Sequence, residues 1–447
     1  MTRKQFWALT AVIISSGVAI LDGSIVNLAL PAIARDFHAS FVTQQWIVDG
    51  YLLSLSALIL LGGTLGDLFG RKKVYLIGLV GFGVSSLFCA LSPAAGVLIA
   101  LRLVQGVFGA LLIPGALAII NTNFEGSQRG LAFGRWTAWS AVLTALGPLV
   151  GGTIIDAVSW RWIFLINIPL IIVSYFLAVP SIVESRDERP RKLDAVGAGL
   201  AMVALGGIIY GLIEGPATHW SGVTLGALLL GVVFAVIFIY NQSRASDPML
   251  NLELFTSRNF NGANLATFAM YGALGGFFFI LVIYLQTTVG FSAFAAGASL
   301  LPVTVCMVLL ASQAGKLSAK YGPRMFMTVG PILSGLGILL LFSLHHGSTY
   351  WLGVLPGITL FALGLATTVA PLTTTVMTSV KQASSGIASA VNNAVARAAG
   401  LIIVAVLGLL GSGQAYHFGV ILCSALAIGA GIISYLIVQN PSHPANG

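Results

Sequence analysis

Charge is scarce in these 447 residues: Asp, Glu, Lys and Arg together make up 8% of the chain, about a third of the share usual in soluble domains. A soluble protein of this length cannot cover its surface with so few charges, so the solvent for most of this surface is lipid. Acids are scarcer still. There are 13, and none follows Glu253, which leaves the last 194 residues without a carboxylate. The C-terminal half therefore cannot supply an acidic proton or cation site. Cysteine is nearly absent too: Cys89, Cys306 and Cys423 each sit in an apolar run, and their odd number and wide spacing imply neither a disulfide framework nor a metal site. His345 and His346 have no partner at metal-ligand spacing. A nucleotide-binding loop, a nucleophile elbow and a sizeable soluble domain are all missing, which argues against a membrane enzyme or receptor and against ATP-driven transport within this chain. No cofactor, metal or nucleic-acid partner is expected.

What is present is apolar surface. Hydrophobic residues make up 57% of the chain, in recurring runs of roughly 20 that each suffice to cross a bilayer as a helix. The runs are continuous and do not alternate, which disfavours a β-barrel. Arg3 and Lys4 precede the first run, and no small-residue cleavage site follows it, so it is expected to stay as helix 1. The hydropathy pattern predicts fourteen transmembrane helices, an all-α membrane fold. With both ends in the cytoplasm, 17 of the 21 Lys and Arg fall in inner loops, Arg35 and Arg161 fall outside, and Arg102 and Arg397 lie within helices. This division obeys the positive-inside rule, which accounts for the net charge of +8 better than nucleic-acid binding does.

An internal repeat supports the layout. "GTLGDLFGRK" from Gly63 and "GKLSAKYGPR" from Gly315 align at an offset of 252 residues, pairing Gly63 with Gly315, Leu65 with Leu317, Gly70 with Gly322 and Lys72 with Arg324. The loop after helix 2 thus matches the loop after helix 10. The expected organisation is an N-terminal six-helix bundle (1–182), a stretch of cytoplasmic linkers and two inserted helices (183–258), a C-terminal six-helix bundle related in parallel to the first (259–439), and a short tail (440–447). Parallel halves with a site between them suit alternating access.

Four stretches carry chemistry. "GTLGDLFGRKK" (63–73) offers Gly63 and Gly70 for tight turns and Asp67 with Arg71 as a breakable charge pair; a plain positive-inside loop is the alternative. "LDGSIVNLALP" (21–31) puts Asp22 in mid-membrane, where a carboxylate is costly and marks function by default; a structural ion pair or a helix-kinking polar residue is the alternative. "RLVQGVFGA" (102–110) puts Arg102 about 8 Å deep at 1.5 Å per residue, in the same outer half as Asp22, so that the two can touch; otherwise Arg102 snorkels to the surface. "GPLVGG" (147–152) combines Gly147, Pro148, Gly151 and Gly152, a bend with close packing, or an ordinary kinked helix.

These residues, with "WRWIFLINIP" (160–169) and "LPVTV" from Leu301, resemble the major facilitator superfamily and its fourteen-helix drug:proton antiporter branch over almost the whole chain. The resemblance implies the major facilitator fold and a cytoplasmic latch at Gly63, Asp67, Gly70, Arg71 and Lys72. It also implies a proton-coupling role for Asp22 and Arg102, and an exporter motif at Gly147, Pro148, Gly151 and Gly152. Ser24 stands where Thr is commoner, and Leu143 where the longer form of the exporter motif has Gly. Relatives that export divalent organic cations use membrane carboxylates in their second half. Their lack here points to a monocation, a neutral compound or an anion.

Asp49, near the outer end of helix 2, and Arg397, within helix 13, are read as an outer gate; the alternative leaves Asp49 solvated and Arg397 bonded to carbonyls. Asn27, Tyr271, Phe277 to Phe279 (Phe278 foremost), Asn392 and Asn393 are candidate substrate-lining residues, although aromatics of this kind commonly face lipid or pack between helices. The expected function is proton-coupled export of small organic compounds from a plasma (inner) membrane, with both termini cytoplasmic. The partners are substrate, protons and lipid, and a monomer is the working expectation. The alternative is a metabolite or organic-anion carrier of narrow specificity on the same fold.

Overall fold

The computed structural model describes residues 1–187, 193–245, 247–381, 385–410 and 415–440. Part of the charged linker (188–192) and the tail beyond 440 lie outside these. Among the described residues all regular structure is helical, as lipid demands of a chain that must satisfy its backbone internally. In order the helices are α1 (Arg3–Phe37), α2 (Phe41–Phe69), α3 (Arg71–Ala90), α4 (Ala95–Asn123), α5 (Gly126–Ala157), α6 (Trp162–Ser181), α7 (Ala195–Ala217), α8 (Gly222–Arg244), α9 (Arg258–Val289), α10 (Ala293–Tyr321), α11 (Pro323–Ser343), α12 (Tyr350–Thr378), α13 (Ile387–Leu409) and α14 (Ala415–Ile437). Among the described residues, thirteen of these are long and apolar enough to cross a membrane. The remaining helix, α5, has 32 residues; it opens on the polar "GSQRGLAFGR", and Leu146–Ala157 is apolar.

Side chains at the helix starts hold the otherwise orphaned amides. Thr2 and Gln5 form a reciprocal capping box on α1, and Ser40, Asp194, Ser221 and Ser257 cap α2, α7, α8 and α9. The chain divides into two compact units: residues 1–249 with 291–298, and residues 250–290 with 299–447.

In the first unit small residues set the helix spacing, as expected where lipid gives no hydrophobic drive for association. A methyl group at Gly62 of α2 would overlap the Ala110 carbonyl of α4, and one at Gly106 of α4 would overlap Ser54 and the Tyr51 carbonyl of α2. At this crossing Ser54 Oγ donates to the Leu103 carbonyl at 2.6 Å. Gly63 lies inside α2 and makes no turn, so the reading of that glycine as a turn residue is corrected: the close approach belongs to its neighbour Gly62. The inserted helices α7 and α8 form a hairpin crossed at Gly207 and Gly231, where backbones approach too closely for a side chain. The hairpin docks on α2 through Trp46, whose Nε1 donates to Glu214 Oε1 at 2.8 Å. The far side of α8 (Val223, Leu229, Val236, Tyr240) is exposed and apolar, a face for lipid. Arg161 pairs with Asp36 at 2.5 Å and stacks over Trp160.

The second unit uses the same devices. Gly330 and Gly364 bring α11 and α12 together, Ser334 Oγ donates to the Phe361 carbonyl, and Ser424 Oγ to the Gly335 carbonyl. Tyr284 and Tyr416 stack at 3.6 Å.

The α2–α4 crossing gives a direct test of this packing. Gly62→Ala should cost about 1–3 kcal/mol, the usual penalty of overpacking. Gly199→Ala, in α7 with open space around it, should be neutral or stabilising by up to ~1 kcal/mol. Thermal melting of the purified chain in detergent would separate the two; equal melting points would refute the tight crossing.

Candidate functional site

The interior of the first unit holds a buried ion pair. Asp22 of α1 and Arg102 of α4 are 2% and 1% exposed and form an ion pair, Nη1 to Oδ2 at 2.5 Å. Arg102 thus does not snorkel outward. Its Nε donates to the Ile47 carbonyl of α2 at 3.2 Å, and its Nη1 also donates to Gln105 Oε1 at 2.6 Å. The guanidinium lies over the Tyr51 ring at 4.3 Å, which adds a cation–π attraction. Asp22 Oδ1 accepts from Gln105 Nε2 at 3.1 Å and from Asn167 Nδ2 of α6 at 3.4 Å. Gln105 and Asn167 both also donate to Ser86 Oγ of α3. Five helices, α1, α2, α3, α4 and α6, thus contribute to one hydrogen-bonded network around the pair. Charge is tolerable there because the pair is fully surrounded by hydrogen-bond partners.

Sequence reasoning found Asp22 and Arg102 but missed Gln105, Asn167, Ser86 and Tyr51. Gln105 lies one turn from Arg102, on the same helix face. Asn167 interrupts the apolar run of "WRWIFLINIP". Both were signals: uncharged polar side chains in membrane helices need partners.

The α5 motif packs directly on the Asp22 segment. Methyl groups at Gly147 and Gly151 would press on Ser24 and Ile25 of α1. Leu143, the residue that departs from the longer motif, fills the space beside Gly17 of α1, a large-for-small exchange across the same seam. On its other side the motif meets residues 293–298, which belong to the first unit. Gly152 abuts Phe294, the Pro148 carbonyl abuts Gly297, and Asp156 accepts from the amides of Ala293 and Phe294 at 3.1 and 2.8 Å.

The loop between α2 and α3 is pinned by a group outside its own sequence motif. Gly70 turns at φ 110°, open to glycine alone at low cost. Asp67 and Arg71 pair at 2.7 Å. Glu184, from the linker after α6, accepts from the amides of Lys72 and Lys73 at 3.0 and 3.1 Å, a carboxylate at the start of α3 where the helix dipole favours it. Lys72 Nζ reaches the Val179 carbonyl. In the second unit Gly322 turns at φ 89° and Asn440 accepts from the Arg324 amide at 3.1 Å. The aligned Gly70 and Gly322 thus share a conformation and a capping device.

Of the lining candidates, Tyr271, Asn392 and Asn393 meet in a cavity of about 150 Å³ in the second unit, with Thr373 and Ser389. Asn392 Nδ2 donates to Thr267 Oγ1 at 2.7 Å and Asn264 Oδ1 at 3.1 Å. Phe278 packs edge-on against Phe361 and does not line this cavity. Asn27 belongs to the first unit, where its buried Oδ1 has no partner. Asp49 is in the first unit and Arg397 in the second.

Removing one partner of a buried pair is costlier than removing both. Arg102→Ala should destabilise the chain by about 3–5 kcal/mol, and adding Asp22→Ala should recover part of that loss. Melting curves of the two variants would read this; a double variant no more stable than Arg102→Ala would contradict the network.

Comparison with known proteins bears on what such an interior is for. The Major Facilitator Superfamily model matches residues 12–405. The multidrug resistance protein Stp of Mycobacterium tuberculosis is 34% identical over 91% of this chain and 76% of its own length. The tetracenomycin C resistance and export protein of Streptomyces glaucescens is 32% identical over the same shares. The multidrug efflux pump LfrA of Mycolicibacterium smegmatis is 32% identical over 92% of this chain and 81% of its own. A crystal structure of a peptide transporter, POT, in complex with sulfate superposes with a TM-score of 0.72 at 16% identity, covering 98% of this chain and 94% of that one; at that identity it speaks to fold alone. A family model spanning nearly the whole helical core, and relatives above 30% identity matched over three quarters of their length or more, place this chain in the Major Facilitator Superfamily as a multi-pass membrane transporter, not an enzyme.

Proposed function

We propose that this chain is a proton-driven exporter of small organic compounds that works by alternating access, with α5 as a further span, fourteen in all, and both termini cytoplasmic. The observation that carries the reading is Asp22, a buried carboxylate held by Arg102, Gln105 and Asn167. Protonation would cancel the charge that Arg102 holds, and deprotonation would restore it. The network then has two states that a proton gradient can drive. The α5 motif packed against the same stretch of α1 offers a route for coupling, and relatives named for drug and antibiotic resistance or export support the direction. The 17-to-2 distribution of loop cations supports the orientation.

The remaining assignments belong to the same reading. Gly63, Asp67, Gly70, Arg71 and Lys72 form the cytoplasmic latch. Asp49 and Arg397 form an outer gate that closes when the protein opens inward. Tyr271, Asn392 and Asn393 line the substrate path, with Asn27 and Phe278 along it. The cavity lined by Tyr271, Asn392 and Asn393 has no charged wall, and no acid occurs beyond Glu253. These two facts favour a neutral, monocationic or anionic substrate over a dication, and they keep a narrow-specificity metabolite or organic-anion carrier as the second reading.

Inverted vesicles under an imposed pH gradient distinguish the readings. The native chain should move ethidium with the gradient, and Asp22→Asn should abolish gradient-driven movement while still reaching the membrane. Full coupling in Asp22→Asn would remove Asp22 from the mechanism, and no dye movement by the native chain would favour the narrow carrier.

A further inference from the structure

A second acid lies inside the first unit with none of the support that Asp22 has. Asp49 of α2 is 0% exposed, and neither carboxylate oxygen has a hydrogen-bond partner. The elements packed against α2 are α4, α7, α3 and α1. Their charged or titratable groups toward its outer end are Arg102, Glu214, Tyr210, Cys89, Arg35 and Asp36, and none donates to Asp49. Arg102 is engaged with Asp22, Gln105 and the Ile47 carbonyl. It approaches the α2 face bearing Ile47 and Tyr51, each two residues and so about 200° around the helix from Asp49. Glu214 accepts from Trp46, and Asp36 is paired with Arg161. An ionised carboxylate cannot persist in such surroundings without a partner, whereas a protonated one can.

We propose that Asp49 is a second proton-binding site, occupied by its proton in this conformation and separate from the Asp22–Arg102 network. The two acids lie on different helices and differ in the one respect that matters. Asp22 is an ion-paired anion that must lose Arg102 before it accepts a proton. Asp49 is a neutral acid that must gain water or a cation before it releases one. Asp49 is the ninth residue of α2, roughly 12 Å from the helix start at 1.5 Å per residue. Ser56, seven residues on and therefore on the same face, also has a buried oxygen with no partner. This face of α2 thus carries two polar groups that only a change of conformation can hydrate. The use of that proton in transport rests on the exporter reading; its presence on Asp49 does not. Pairing of Asp49 with a cation at the outer gate is then the step that discharges it.

Infrared difference spectroscopy of the full-length chain in lipid at neutral pH reads the protonation state without any substrate. The native chain should show a buried carboxylic-acid carbonyl band that shifts in D2O. Asp49→Asn should remove it, and Asp22→Asn should leave it in place. A band unchanged by Asp49→Asn would overturn the proposal. Should Asp49→Asn fail to fold, Asp49→Leu supplies the second reading. A neutral replacement for a neutral, unpartnered acid should melt at or above the native temperature, while a large drop in melting temperature for both variants would show that the ionised form is required.

Discussion

A carboxylate in a membrane interior persists only if something holds its charge, and in this chain the holder is Arg102. The Asp22–Arg102 pair draws hydrogen bonds from α2, α3, α4 and α6 onto α1. The helices around it are set by where those partners must stand. The amide of Gln105 is spent on both members of the pair: its oxygen accepts from Arg102 and its nitrogen donates to Asp22. Turning that amide over would break both bonds, so the network is oriented as well as filled. Close approach of α2 and α4 is a precondition, because Arg102 must reach the Ile47 carbonyl. Glycines at 62 and 106 permit that approach.

The same constraint explains why α5 is built differently from its neighbours. It brings Gly147 and Gly151 against Ser24 and Ile25 of α1, within one turn of Asp22. Farther out, Asp156 holds the amides at the start of α10. The α5 helix therefore touches both the Asp22 segment of α1 and residues 293–298. Stiff, closely packed contacts have discrete alternatives rather than a continuum, the property that the proposed switching between access states would use.

Much of this was legible in the sequence because lipid makes chemistry conspicuous. A charge in an apolar run is rare enough to read singly, and depth arithmetic put Asp22 and Arg102 in the same outer half. The structure joins them. Gly70 and Gly322 were also legible, since a repeat that preserves glycine at a helix junction signals a positive φ, and both have it. What escaped were groups whose role depends on packing. Gln105 and Asn167 are neutral, and nothing in their spacing shows that they meet at Ser86. Glu184 lay in a run of charges that reads as solvated, yet it caps α3. Gly62 and Gly63 are adjacent and chemically identical; only the register of α2 on α4 decides which one is at the contact.

In the proposed antiport cycle Asp22 takes up a proton when it parts from Arg102 and gives it up in the state that takes substrate, so substrate binding and protonation of Asp22 are linked. The most direct measurement is proton release when a dye that the chain binds is added to purified protein in weakly buffered solution near neutral pH, read with a pH indicator. The account predicts that binding to the native chain displaces protons and that Asp22→Asn, with dye still bound, displaces fewer. Release of native size from Asp22→Asn would contradict it.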